Sequence, residues 1–209
     1  MQINHLILGA YQTNCYILRQ DKTAKDCLII DTGLQAEALI YFLKEYELNP
    51  VAVVLTHGHP DHIAGLAVLQ KEYQRLKVYI HKLDAKMLTE AESNVLPFVG
   101  GLLDIKPADS LLEDGCVIEP AGIKLKVLHT PGHTPGGISL YSDDGIVFTG
   151  DTLFAGSIGR TDMTGGNMIE LIKSIRKKLL KLPDETIVYP GHGEPTTIAQ
   201  EKLHNSYLQ

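Results

Sequence analysis

Four apolar runs in this chain end in the same way, and that repetition constrains the fold more than any other feature. "VAVVL", residues 51–55, runs into "THGHPDH". "IKLKVL", residues 123–128, leads through "HTPGH" to His133. "GIVFTG", residues 145–150, runs into Asp151. "TIVY", residues 186–189, runs into "PGH" and His192. Runs of this length and content read as buried strands. Each brings a histidine or an aspartate to a strand end, where a rigid sheet edge can make such residues converge. A turn needs one or two polar residues. Three histidines and an aspartate within positions 57–62 ask for another reason.

The spacing supplies one. His57 and His59 are two apart, so in an extended segment both side chains point the same way and can grip one metal. Pro60 stops the extended run. Asp61 and His62 then open a helix and face a neighbouring point. His133 completes the first site, His192 the second, and Asp151 can bridge them with its two oxygens. Imidazole and carboxylate ligands suit Zn, Fe or Mn, and no cysteine joins them to impose a thiolate preference. Each residue taken alone has a plainer role. Asp61 could be a helix N-cap, and His133, Asp151 and His192 could be turn residues. Their conjunction at four strand ends favours the metal. Asp31, ending the run "IID", is a candidate partner for the far nitrogen of a ligating histidine. His81 and His129 read as structural, and His5 and His204 carry no assignment.

Between these points strand-like and helix-like segments alternate. "CYILR" (15–19) and "DCLIIDTG" (26–33) read as strands, and "KVYI" (77–80) and "ISLY" (138–141) as two more. Helices are expected over 35–48, 62–73, 82–92, 166–182 and 197–208, with Ile169, Ile172, Ile175 and Leu179 on one face of the fourth. Residues 92–114, punctuated by Pro, Gly and Asp, read as a long surface excursion. No linker or low-complexity tract divides the chain. One α/β domain over residues 1–209 is expected, since 44% apolar residues suffice for a core.

The net charge of −6 argues against a nucleic-acid face, which wants clustered Lys and Arg; "KSIRKKLLK" (173–181) reads as a solvated helix face. No segment approaches the roughly 20 apolar residues that span a bilayer, and no secretory signal is visible. Cys15, Cys27 and Cys116 share no metal spacing and read as free thiols, two of them buried, which points to the cytoplasm. Oligomeric state is left open.

These residues resemble the metallo-β-lactamase superfamily: His-x-His-x-Asp-His at 57–62, then His133, Asp151 and His192 in order. The flanks "TNCYIL", "IDTG", "HTPGHTPG", "FTGDTLF" and "YPGHG" are similar to the glyoxalase II (hydroxyacylglutathione hydrolase) branch, and "GSIGRTD" (156–162) to its compact bacterial or archaeal members. The resemblance implies an αβ/βα four-layer sandwich with two metal ions at the rim of two facing sheets, zinc foremost. It implies His57, His59 and His133 on the first metal and Asp61, His62 and His192 on the second, with Asp151 bridging. The chain runs 17 residues past His192, which reads as a form without the branch's C-terminal helical segment. Its turn "GHGEP" lacks the tyrosine those enzymes carry there. Asp151 stands near the cysteine of classical metallo-β-lactamases, which disfavours lactams.

The expected activity is hydrolysis of a small acyl thioester such as S-lactoylglutathione, with Asp61 and Asp151 as the catalytic acids of the site. Residues 92–104, with Leu96, Pro97 and Phe98, and residues 154–162 are expected to shape the pocket. Arg160 is a candidate for a substrate carboxylate, set against an ion pair with a neighbouring acid. The alternatives are a mono-iron persulfide dioxygenase, a lactonase and a non-catalytic metal-binding module.

Overall fold

The computed structural model describes residues 1–90 and 104–209. The first sheet contains β1 (Gln2–Leu8), β2 (Thr13–Arg19), β3 (Asp26–Ile30), β4 (Asn49–Val54), β5 (Lys77–His81) and β6 (Ser110–Leu112), side by side in that order. A second sheet holds β7 (Val117–Ile118), β8 (Leu125–His129), β9 (Ile138–Ser142) and β10 (Ile146–Gly150). A small hairpin of β11 (Leu153–Phe154) and β12 (Ser157–Ile158) follows. The second sheet is then completed by β13 (Ile187–Pro190) and β14 (Thr196–Thr197), in the order β14-β13-β10-β9-β8-β7. The helices are α1 (Glu37–Glu45), α2 (Pro60–Ile63), α3 (Leu66–Glu72), α4 (Met168–Ser174) and α5 (Ile198–His204).

Side-chain alternation along the strands sets the layers. In β2, Cys15 and Ile17 face α1, α2 and α3, joining Leu39, Leu43, Ile63 and Leu69. Their neighbours Tyr16 and Leu18 face the other sheet, where they meet Leu125, Val127, Leu140 and Phe148. β3 and β4 split in the same way. On the far side, Val147 and Val188 pack against Leu171, Ile175, Leu179 and Ile198. Three cores thus separate four layers, helices, sheet, sheet, helices, which is the αβ/βα sandwich expected. Each fully buried Leu, Ile or Phe contributes roughly 1.5–3 kcal/mol, so the sheets form a stiff platform.

Strand direction then places the site. β3, β4 and β5 run parallel. β8 and β10 both run against β9, and β10 runs with β13. The C-terminal ends of β8, β10 and β13 therefore share one rim. Main-chain bonds stitch the sheets together there: Ile138 N–H donates to Thr56 O at 2.9 Å and Asn14 N–H to Gly191 O at 2.8 Å.

Several local expectations are corrected. The helix over 62–73 is interrupted between Ile63 and Leu66, because Gly65 N–H donates outward to Gly33 O at 2.9 Å. Residues 82–90 form only a 3₁₀ turn at Ala85–Leu88. The excursion over 92–114 contains β6. Ile169 is 82% exposed; the buried row is Leu171, Ile175 and Leu179, carried past Ser174 by a π-helical turn at Ile175–Leu179. β1, an edge strand without a clean apolar alternation, carried no strand signal. Cys15 and Cys27 are free and buried, and Cys116 is free and half-buried. Among the described residues no helix is long and apolar enough to cross a membrane.

Candidate metal centre

The loop after β4 starts extended and turns at Pro60, the first residue of α2, where proline's missing N–H costs nothing. His57 and His59 precede that turn; Asp61 and His62 follow it. Three overlapping groups form at the rim, each offering ligand atoms within 4.8 Å of one another: His57, His59 and His133; His57, His62 and Asp151; Asp61, His62 and His192. All seven rim residues picked out from the sequence therefore meet.

Four of the rings are held from behind. His62 Nδ1 donates to Asp31 at 2.8 Å. His133 Nδ1 donates to the Arg160 carbonyl at 2.7 Å. His192 Nδ1 donates to the Tyr11 carbonyl at 3.0 Å. His57 Nδ1 lies 3.0 Å from the Thr56 hydroxyl, which itself donates to Asp31 at 2.7 Å. Nδ1–H bonds of this kind fix the tautomer and leave Nε2 as a bare lone pair facing inward. Asp31 also accepts the Thr56 N–H at 2.8 Å. Its backbone sits at φ 54°, a left-handed conformation uncommon outside glycine, and these bonds hold it there.

The inward-facing atoms lack ordinary partners. His57 Nε2 and Asp151 Oδ1 are buried and make no hydrogen bond, an arrangement that costs free energy unless something binds there. His62 Nε2 and His192 Nε2 stand 3.2 Å apart, and His59 Nδ1 and His133 Nε2 2.8 Å apart. In the neutral tautomers set by their Nδ1–H bonds, His62 and His192 aim lone pairs at each other, which calls for a cation between them, whereas His59 Nδ1–H is free to donate to His133 Nε2. Asp151 lies at the junction. Its Oδ1 is 3.3 Å from His62 Nε2, and its Oδ2 is 3.5 Å from His133 Nε2 and 3.6 Å from His192 Nε2. Asp61 Oδ2 lies 3.3 Å from His192 Nε2 and 3.7 Å from His62 Nε2. A Cβ at Gly191 would press on Asp151 and the His62 ring, so only glycine allows this approach. The donor set and its unpaired atoms fit divalent metal binding.

The two ends of the cluster differ electrostatically. Burial and neighbouring imidazoles push His57 well below the usual histidine value, and burial with His133 lowers His59 to about 4. Burial also opposes charge on His62, but the carboxylates of Asp151 and Asp31 outweigh it and hold that ring well above its usual value. His192 is raised, the Asp61 hydrogen bond and Asp151 overcoming burial. Against the cost of burial, His62 and His192 hold Asp151 below the usual carboxylate range, and the His192 hydrogen bond with the His62 charge does the same for Asp61.

Arg160 makes a two-pronged ion pair with Asp162, 2.8 Å at each contact, and both side chains are exposed. Its carbonyl, not its guanidinium, reaches the cluster. Phe98, with Leu96 and Pro97, lies outside the described residues. His81 stacks on His129, centroids 4.1 Å apart, away from the cluster. The carbonyls of Tyr11 and Arg160 escaped sequence reading because a main-chain acceptor has no residue signature. Phe154, the first residue of the stretch 154–162 expected to shape the pocket, has its ring 6.3 Å from His192. Asp84 gave no signal, being read inside a helix.

Comparison with known proteins gives a consistent picture. The metallo-beta-lactamase superfamily model matches residues 8–192. The chain is 39% identical to the hydroxyacylglutathione hydrolase GloC of Haemophilus influenzae, over 100% of this chain and 98% of that protein. Among solved structures, the BLEG-1 B3 metallo-beta-lactamase superposes with a TM-score of 0.92 at 40% identity, covering 100% of both chains. TTHA1623, solved in a di-iron-bound form, gives 0.84 at 36% identity over 98% of this chain and 100% of that one.

Proposed function

The chain belongs to the metallo-beta-lactamase superfamily, and on that premise we propose that it is a binuclear metal-dependent hydrolase of small acyl thioesters, S-lactoylglutathione among them. His57, His59 and His133 hold one ion in this reading; Asp61, His62 and His192 hold the other; Asp151 bridges. The observation that carries it is Asp151 itself, a largely buried carboxylate, its side chain 12% exposed, whose oxygens approach a histidine of each group. The full-length likeness to a hydroxyacylglutathione hydrolase supports the thioester, and that to a protein solved with two irons supports two ions. Zinc is the first candidate on donor chemistry, with iron or manganese next.

Bound there, two adjacent divalent cations would acidify water and polarise an acyl carbonyl. The residues do the rest. Asp31, Thr56 and the carbonyls of Tyr11 and Arg160 keep the imidazoles in the ligating tautomer and orientation. Asp61, partly open to solvent, is placed to orient the attacking water and take up its proton. The buried rings of His57 and His59 keep bulk water from the floor of the site, which strengthens charge interactions above it. A thiolate leaves with little acid assistance, so no further proton donor is required. Phe154, beside His192, offers an apolar wall, and the Arg160 guanidinium is a candidate for a substrate carboxylate once released from Asp162. The protein is proposed to act as a single domain in the cytoplasm, without nucleic acid or membrane.

A second reading is hydrolysis of a β-lactam amide, favoured by the 40% identity to a B3 metallo-beta-lactamase despite the acid at position 151. A panel of S-lactoylglutathione, acyl-coenzyme A thioesters, a lactone and a β-lactam, run with the zinc-loaded protein, separates the two. Thioester turnover above the rest is expected. Lactam turnover without thioester turnover would give the site to the second reading.

A further inference from the structure

One buried carboxylate at the rim has no part in the reading above. Asp84 lies in the turn after β5 and is fully buried. Its Oδ1 accepts the Gly136 N–H at 2.6 Å; its Oδ2 accepts the Thr134 hydroxyl at 2.7 Å and the Gly58 N–H at 3.2 Å. Three donors converge on two oxygens, a pattern that a carboxylate, which only accepts, satisfies completely.

The positions of those donors matter more than their number. Gly58 sits between His57 and His59, and Thr134 directly follows His133. The first loop leaves β4 in one sheet and the second leaves β8 in the other. Asp84 therefore fastens to one point the two loops that carry the first ligand group. None of its bonds goes to α2 or to the loop after β13, which carry the second. The contact is close, since a Cβ at Gly136 would run into the Asp84 carboxylate. A separate tie joins the end of β5 to the second of these loops. His81, three residues before Asp84, stacks on His129 at an interplanar angle of 13°, and His129 Nε2 donates to the Pro135 carbonyl at 2.9 Å.

We propose that Asp84 is a positioning residue for the first metal: by tying the main chain at Gly58 to the Thr134–Gly136 loop, it sets the spacing of His57, His59 and His133 and so their affinity for the ion. This rests on the ligand assignment made under the proposed function. Asp84 touches no reacting atom. Asp31 differs from it, because Asp31 bonds directly to His62 and through Thr56 to His57, and so serves both groups.

Asp84→Asn is nearly isosteric but replaces one acceptor oxygen by an NH₂ that faces other donors. The test measures zinc affinity by chelator competition in two backgrounds, His192→Ala, which keeps the first group, and His133→Ala, which keeps the second. Asp84→Asn is expected to weaken zinc about 10–100-fold in the His192→Ala protein and to leave affinity in the His133→Ala protein unchanged. Equal weakening in both backgrounds, as a merely structural residue would give, overturns the proposal, as does no weakening in the first. Should Asp84→Asn fail to fold, Thr134→Val removes one of the three donors and is expected to give a smaller loss, again only in the His192→Ala background. Thr134→Val acting on both or on neither overturns it equally. The parent variants test the assignment separately: if His133→Ala costs the protein no zinc, the ligand assignment fails whatever Asp84 does.

Discussion

The two ends of the cluster share histidines but differ in their acids, three imidazoles at one and an aspartate with two imidazoles at the other. His57, His59 and His133 are buried, and burial with neighbouring imidazoles, His62 foremost for the first and His133 for the second, lowers His57 and His59. Asp61 and His192 lie nearer the surface, with side-chain exposures of 20% and 27%, while His62 is fully buried beneath them; against burial, the carboxylates of Asp151 and Asp31 raise His62, and those of Asp61 and Asp151 raise His192. One end is a buried three-imidazole nest; the other carries an acid and opens to solvent at Asp61 and His192. Such a pairing suits a deep ion that is retained and an outer one that meets solvent and substrate.

The contrast breaks most visibly at the deep end. His59→Ala should lower thioester turnover by roughly three orders of magnitude or more with an unchanged far-ultraviolet circular dichroism spectrum. Turnover near the parent value would remove His59 from the site. Asp31→Asn tests whether one carboxylate steadies both ends. It should weaken zinc at each by about 10–100-fold, read by the same chelator competition, and weakening confined to one end would limit Asp31 to that end. Arg160→Ala comes next. Its exposed pair with Asp162 leaves thermal stability unmoved, and a rise in KM for a carboxylate-bearing thioester with kcat preserved is expected. No change in KM removes the guanidinium from substrate binding.

The smallest effect concerns the turn behind the deep end. Burial and the neighbouring His129 lower His81 to about 4, whereas an unfolded histidine titrates near 6.5. Between these values the unfolded chain binds the extra proton, so folding stability falls as pH drops from about 6.5 toward 4. His81→Phe keeps a stacking ring without the titration, and urea unfolding of the metal-free proteins should show a shallower pH slope for the variant. Identical slopes would remove His81 as their source.

Sequence legibility follows the same divide between side chain and main chain. Every rim residue that meets at the cluster could be picked out, because a histidine or aspartate after an apolar run is a local pattern and the layers follow from strand alternation. What escaped depends on partners distant in sequence. The carbonyls of Tyr11 and Arg160 orient His192 and His133 without any residue signature. Asp84 was read inside a helix because its donors lie 26 to 52 positions away. The break at Gly65 has the same origin, an N–H diverted to Gly33. Phe98 and its neighbours fall outside the described residues, so the expectation for that wall stays with the sequence.

Elemental analysis of the purified, metal-loaded chain tests the central claim most directly. Two ions per chain are expected in the parent, and one in each of His133→Ala and His192→Ala. One ion in the parent, unchanged by His192→Ala, would contradict the two-ended site.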